Sequence, residues 1–199
     1  ILGQSGFDAV KVTGCSSSQM NGPGYIFVDQ QDSLWVSDHF NNRILRFDNA
    51  SSISSGWSSY ISLFEYLIIG YILIGSPAQG VLGQPNFTTC SSGLASTSLN
   101  LPQGIWVDSD GILWVADQTN RRVLRFNDAR EKANGTSNLS LKLRLSVFLS
   151  LGAPADGLLG QNGFNAAATL SDDTALVTPD DVTVDQYGNL YVSDHAEQR

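Results

Sequence analysis

Three aspartates, Asp38, Asp117 and Asp194, each end a short run of strand-forming residues, and an arginine follows each five positions on, at Arg43, Arg122 and Arg199. Carboxylate oxygens are hard ligands, so aspartates gathered near one axis could hold a cation such as calcium. The competing role is structural, because an aspartate in a turn bonds its own backbone and here has an arginine to pair with. Recurrence favours the second role: a catalytic group is needed once, a frame residue in every copy. His39 and His195, the chain's two histidines, share one repeat position, where the middle copy has Gln118. Imidazoles can transfer protons or ligate a metal, but these belong to repeats that are not neighbours and read as solvated turn residues. No Ser-His-Asp order, phosphate loop or Cys-His cluster is present, so no catalytic residue is assigned.

These residues are placed by a repeated line. "DSLWVSDHFNNRILRF" returns as "GILWVADQTNRRVLRF" and again as "GNLYVSDHAEQR". Pro23, Pro102 and Pro179 are 79 and 77 residues apart, and Val28, Val107 and Val184 keep the same offsets. A second motif, "LGQSGF", "LGQPNF" and "LGQNGF", begins at Leu2, Leu82 and Leu159. Matches at one spacing mark a tandem repeat.

Within a repeat the chemistry is that of strands. "GIWVD" and "ILWVAD" are rich in β-branched and aromatic residues, and Asp110-Gly111 between them is a hairpin signal. "RRVLRF" reads as a third strand and "GVLGQ" as a fourth. Strict apolar alternation is absent, which suits sheets covered on both faces. Trp35, Trp106 and Trp114 fall inside strands and read as core rather than a sugar-stacking surface. The pattern predicts an all-β protein, a partial β-propeller of four-stranded antiparallel blades.

"PQGIWVDSDGILWVADQTNRRVLRF" and "VDQQDSLWVSDHFNNRILRF" resemble the NHL repeat, a propeller family, in a form with an LGQPxF-type motif between blades. Two positions vary: Gly104 is replaced by Tyr25 and Asp181, and Asn41 and Asn120 by Glu197. The resemblance implies a fragment of a larger, six-bladed ring. It begins with the end of one blade over 1–21. Full blades follow over 22–84 and 102–161, and 179–199 starts the next. It also implies a non-catalytic scaffold binding a protein or small ligand on one face. The candidate binding loops hold His39, Phe40, Asn41, Gln118, Thr119, Asn120 and His195. The alternative is a propeller lyase or lactone hydrolase with a calcium or zinc ion at the channel mouth, for which Asp38, Asp117 and Asp194 are the candidate ligands.

Composition narrows the partners. The net charge is −8, with eleven Lys and Arg scattered along the chain, which argues against nucleic acid. Residues 57–74 and 136–151 interrupt the repeat, and deleting them leaves 61 residues in each period. The first is short for a membrane span and carries Glu65 at its middle, which argues against membrane insertion. Their Ser, Leu, Ile and Phe runs read as translated introns, implying a eukaryotic source, with real apolar hairpins as the other reading. "RFNDAREK" reads as a solvated charged loop. The chain opens without an initiator Met, so a preceding segment is expected. Cys15 and Cys90 are the two cysteines; a disulfide and two unpaired thiols are both open. Asn-X-Ser/Thr sequons at Asn49, Asn86, Asn134 and Asn138 give a lean towards secretion.

Overall fold

The computed structural model describes residues 14–51, 77–133, 152–166 and 174–195. Both interruptions, the first LGQ motif, Asn134, Asn138, Glu197 and Arg199 lie outside these residues. Strands β1 (Pro23–Val28), β2 (Ser33–Asp38), β3 (Arg43–Asp48) and β4 (Gly80–Leu82) form one antiparallel sheet in chain order. Strands β5 (Pro102–Val107), β6 (Leu113–Asp117), β7 (Arg122–Phe126) and β8 (Gly157–Leu159) repeat that order in a second. β9 (Pro179–Val184) and β10 (Leu190–Asp194) form an antiparallel pair. The protein is all-β in this sense, with one five-residue helix, α1 (Ala129–Ala133), among the described elements.

Each sheet starts at a proline, and the reason is local. Pro23, Pro102 and Pro179 stand opposite Asp38, Asp117 and Asp194, and the register slips beside each pairing. A proline has no N–H to give to a ladder, so the first residue of an outer strand is where it fits.

The sheets pack face to face through their apolar sides. Trp35, Ile44 and Leu82 of the first sheet share a core with Ile105, Val107, Leu113, Val115, Leu124 and Phe126 of the second. Ala116 and Val123 meet Val182, with Trp106, Trp114, Leu190 and Val192 alongside. The far side of the first sheet buries Val36, Leu45, Phe47 and Val81 under Met20 and Ala78. One pair of positions stands apart: Ile105 and Val107 are 4% and 7% exposed under the first sheet, but their repeat equivalents Ile26 and Val28 are 69% and 54% exposed.

The LGQ motif is a clamp. Gly83 and Gly160 have φ of 84° and 88°, and a Cβ at either would overlap a leucine, Leu99 or Leu176. The glutamine after each glycine donates to a turn. Gln84 Nε2 reaches Asn42 O at 2.8 Å, and Gln161 Nε2 reaches Arg121 O at 3.0 Å. Asn42 and Arg121 are themselves left-handed, at φ 53° and 54°, after the 3-10 turns His39–Asn41 and Gln118–Asn120.

The segment "RFNDAREK" departs from the solvated loop expected of it. Arg125 and Phe126 end β7, and the segment runs on into α1, with Ala129 and Ala133 fully buried. A Cβ on Gly80 would lie 2.7 Å from Ala133 Cβ, so that glycine lets the helix sit against β4. Arg130 pairs with Asp48 of the first sheet at 3.0 Å and donates to Ser33 Oγ, while Arg46 donates to Arg130 O at 2.5 Å. Arg130 thus answers partners in the neighbouring repeat, which the local sequence does not display, while Lys132 pairs with Asp156 of its own repeat at 2.8 Å.

Gly111, at φ 77°, has nothing within 4 Å of an added Cβ. Gly111→Ala therefore carries only the left-handed backbone penalty of about 1–2 kcal/mol. Gly83→Ala adds overpacking against Leu99, about 1–3 kcal/mol more. Urea unfolding of the two variants measures the difference, and equal losses would contradict the clamp.

Candidate functional site

The aspartate that ends the second strand turns inward. Asp38 is fully buried; its Oδ1 accepts from Asn21 N–H at 2.6 Å, and its Oδ2 from Asn41 Nδ2 at 2.9 Å and Arg43 Nε at 2.8 Å. Asp117 repeats this with Asn100 N–H at 2.7 Å, Asn120 Nδ2 at 2.8 Å and Arg122 Nε at 2.7 Å. Asp194 accepts from Val177 N–H at 2.9 Å and Thr178 N–H at 2.7 Å. Each carboxylate thus holds the chain segment that leads into a first strand, where the proline has no N–H of its own. As cation ligands these aspartates would first have to shed those donors. Among the described residues no group of three or more His, Cys, Asp or Glu is placed to hold a metal ion.

The arginines extend the frame. Arg43 donates to Phe87 O at 2.6 Å, Ser16 O at 2.9 Å and Gln19 O at 2.7 Å. Arg122 donates to Leu94 O and Phe164 O, both at 2.6 Å, and to Ala95 O and Ser98 O at 3.2 and 3.1 Å. Asn41 and Asn120, proposed from sequence as binding-loop residues, are each 5% exposed and also donate to Gly14 O and Gly93 O. Their amides are turned into the frame. Phe40 and Thr119, one position earlier, are exposed.

His39 is half-buried, and its Nδ1 lies 3.1 Å from Pro102 O at the start of the next sheet. Solvation is therefore not its whole environment, because the neighbouring sheet supplies a carbonyl beside the ring. Gln118, its equivalent, donates from Nε2 to Asp180 Oδ1 at 2.6 Å. His195 is exposed. The three positions do not converge on one point of chemistry.

A second aspartate set was missed by sequence reading. Asp29, Asp108 and Asp185 close the first strands, and the Oδ1 of each accepts two backbone N–H groups across the hairpin, at 2.9–3.0 Å. The Oδ2 of each takes a hydrogen bond from the aromatic residue six positions on: Trp35 Nε1 at 2.8 Å, Trp114 Nε1 at 3.4 Å, Tyr191 Oη at 3.1 Å. The signal was present as an aspartate and an aromatic residue at constant spacing in every copy.

These hairpins rim a cleft of 490 Å³, at the opposite end of the strands from Asp38 and Asp117. Phe27, Trp106 and Tyr187 line it together with Asp108, Asp110 and Asp185. The Phe27 and Trp106 rings are 4.9 Å apart, and Tyr187 is 81% exposed. Aromatic rings and carboxylates thus share the lining, and hydrogen bonds within the hairpins already engage Asp108 and Asp185.

Two carboxylate environments follow. Burial pushes the Asp38 and Asp117 carboxyls above the ordinary value, against the pull of their hydrogen bonds and arginines. The side-chain and backbone N–H groups of Asn189 hold Asp185 below it, with Tyr187 and Tyr191 adding to the effect.

No protein-family model matches the sequence, and no curated protein matches it. The fold and the site together define a tandem repeat of antiparallel sheets locked by buried carboxylate–guanidinium pairs. Among the described residues no helix is long and apolar enough to cross a membrane.

Arg122→Gln leaves the Asp117 charge buried without its partner and frees four carbonyls. The expected loss is about 3–5 kcal/mol, read by chemical denaturation. The carboxylates differ in the sign of their pH dependence. Asp185, depressed, contributes stability above the ordinary carboxylate range and loses it as pH falls through its folded value. Asp38 and Asp117, raised, hold a proton more firmly in the fold, so their contribution grows as pH falls towards the ordinary range. Carbon-detected NMR titration is expected to place the Asp185 midpoint below free aspartate and the Asp117 midpoint above it.

Proposed function

We propose that the chain is part of an NHL-type β-propeller and acts as a non-catalytic scaffold for a protein partner. The observation that carries the scaffold reading is the division of labour in the second-strand turns. The residues that recur there, Asp, Asn and Arg, face inward and hold the frame, while the residues that differ, Phe40 and Thr119, face out. A surface that varies on a constant frame is how repeat proteins present binding loops. The net charge of −8 favours a protein over nucleic acid as that partner.

Support for a continuing ring comes from Ile26 and Val28. The same positions in the second sheet are covered by a preceding sheet, so a further blade of the same kind fits over them. Hydroxyl-radical footprinting of the full-length protein is expected to label Ile26 and Val28 as weakly as Ile105 and Val107. Strong labelling of the first pair would leave the arc open.

The binding reading is tested by crosslinking the full-length protein to its partners. Phe40→Ser with Thr119→Lys is expected to reduce partner recovery more than tenfold, about 1.4 kcal/mol or more of binding energy, with an unchanged melting temperature. Loss on Tyr187→Ser instead would move the site to the aromatic cleft.

A further inference from the structure

We propose that Asn86 carries an N-linked glycan and that this chain folds in an oxidising, secretory compartment. Two independent observations meet in one loop. The first is covalent: Cys15 and Cys90 form a disulfide across 75 residues of sequence, with Cα atoms 6.3 Å apart. Such bonds persist where thiols are oxidised and are rare where they are kept reduced. Of the two readings the sequence left open, the disulfide is the one the structure holds.

The second observation is the geometry of the sequon Asn86-Phe87-Thr88, four residues before Cys90. Thr88 donates to Asn86 Oδ1 twice, from its backbone N–H and from Oγ1, both at 2.9 Å. This Asx turn brings together the two side chains that define the acceptor sequence. Phe87 between them is fixed. Its ring packs against the core of the first sheet, and its carbonyl accepts from Arg43 at 2.6 Å. With Phe87 held inward, Thr88 is exposed and Asn86 is half-exposed. The described residues offer the Asn86 Nδ2 no hydrogen-bond acceptor. The oxygen of the amide is held and its nitrogen is presented, and a bulky glycan there has solvent to occupy.

Asn49 gives the contrast within the same chain. Its sequon hydroxyl, Ser51 Oγ, donates to Asp32 Oδ2 at 2.7 Å, and Ser51 N–H donates to Asp32 Oδ1 at 2.9 Å. Asp32 therefore takes the two donors that turn back to the asparagine at Asn86. The two sequons also differ in type, with Thr88 at the hydroxyl position of one and Ser51 at that of the other, and the hydrogen bonds point the same way as that difference.

The chemistry is a group transfer from a lipid pyrophosphate-linked oligosaccharide. The Asn86 amide nitrogen bonds to the sugar's anomeric carbon, and the bond from that carbon to the lipid pyrophosphate breaks. The pyrophosphate leaves with the electron pair, and the nitrogen loses one proton to a base of the transferase.

The test is peptide mapping of the native full-length protein from its source. Enzymatic deglycosylation in heavy-oxygen water converts each glycan-bearing asparagine to labelled aspartate. The expected result is label on Asn86 in several-fold excess over Asn49, and, before reduction, one peptide joining Cys15 to Cys90. An unlabelled Asn86, label on Asn49 equal to or above that on Asn86, or free thiols at both cysteines would each overturn the proposal. In a secreted preparation, Thr88→Ala is expected to remove one glycan and Thr88→Ser to retain it. Because the map of the unaltered protein decides the matter, a variant that fails to fold leaves the proposal still testable.

Discussion

The rest of this structure depends on a buried carboxylate–guanidinium pair that closes the turn between the second and third strands. Asp38 and Arg43 are fully buried, with 2.8 Å between the bonded atoms, and Asp117 and Arg122 repeat the arrangement at 2.7 Å. Removing two charges from water is costly, and mutual attraction offsets that only where the remaining donors are also satisfied. A guanidinium has five N–H donors in a planar fork. Here the fork faces carbonyls from segments far apart in sequence, so Arg43 joins residues 16 and 19 to residue 87. Arg122 likewise joins residues 94–98 to residue 164. Loops that would otherwise carry unsatisfied carbonyls into the interior become the ligands of a cation. The apolar faces then bring the sheets together, and the ion pairs fix where the loops between them run.

Much of this architecture was legible in the residues. Strand positions follow from β-branched and aromatic runs, and the hairpin of the middle copy from Asp110-Gly111. The frame role of Asp38 and Arg43 is legible in their recurrence and in the tendency of a turn aspartate to bond nearby groups. Contacts between repeats were not legible. The docking of α1 depends on Gly80 yielding space to Ala133 and on Asp48 answering Arg130, and neither partner is near in sequence. The inward turn of Asn41 and Asn120 was hidden for the same reason, since their second acceptors, Gly14 O and Gly93 O, lie 27 residues away. The hairpin aspartates were readable but unread: an aspartate six residues before an aromatic residue occurs in all three copies, and only the geometry gives the spacing its meaning.

The aromatic cleft and the second-strand turns lie at opposite ends of the strands, which divides the molecule's chemistry by direction. One end presents aromatic faces and carboxylates at the hairpins. The other presents loop residues that differ from copy to copy, above a frame that does not.

The joints between sheets add something of a different kind. The first sheet reaches the second through a main-chain acceptor: Ser37 Oγ donates to Pro102 O at 2.7 Å, with His39 Nδ1 beside it. The second sheet reaches β9 through a side-chain acceptor, Asp180, and has Ala116 where Ser37 stands. The second joint therefore depends on one particular side chain of its successor, and the first does not. The proline carbonyl that Ser37 meets recurs at Pro179, whereas exchange of the second copy for the first would leave the Asp180 carboxylate without the Gln118 amide. A chain that repeats one line of sequence thus carries, at its second seam, a contact that only one ordering of the copies can make.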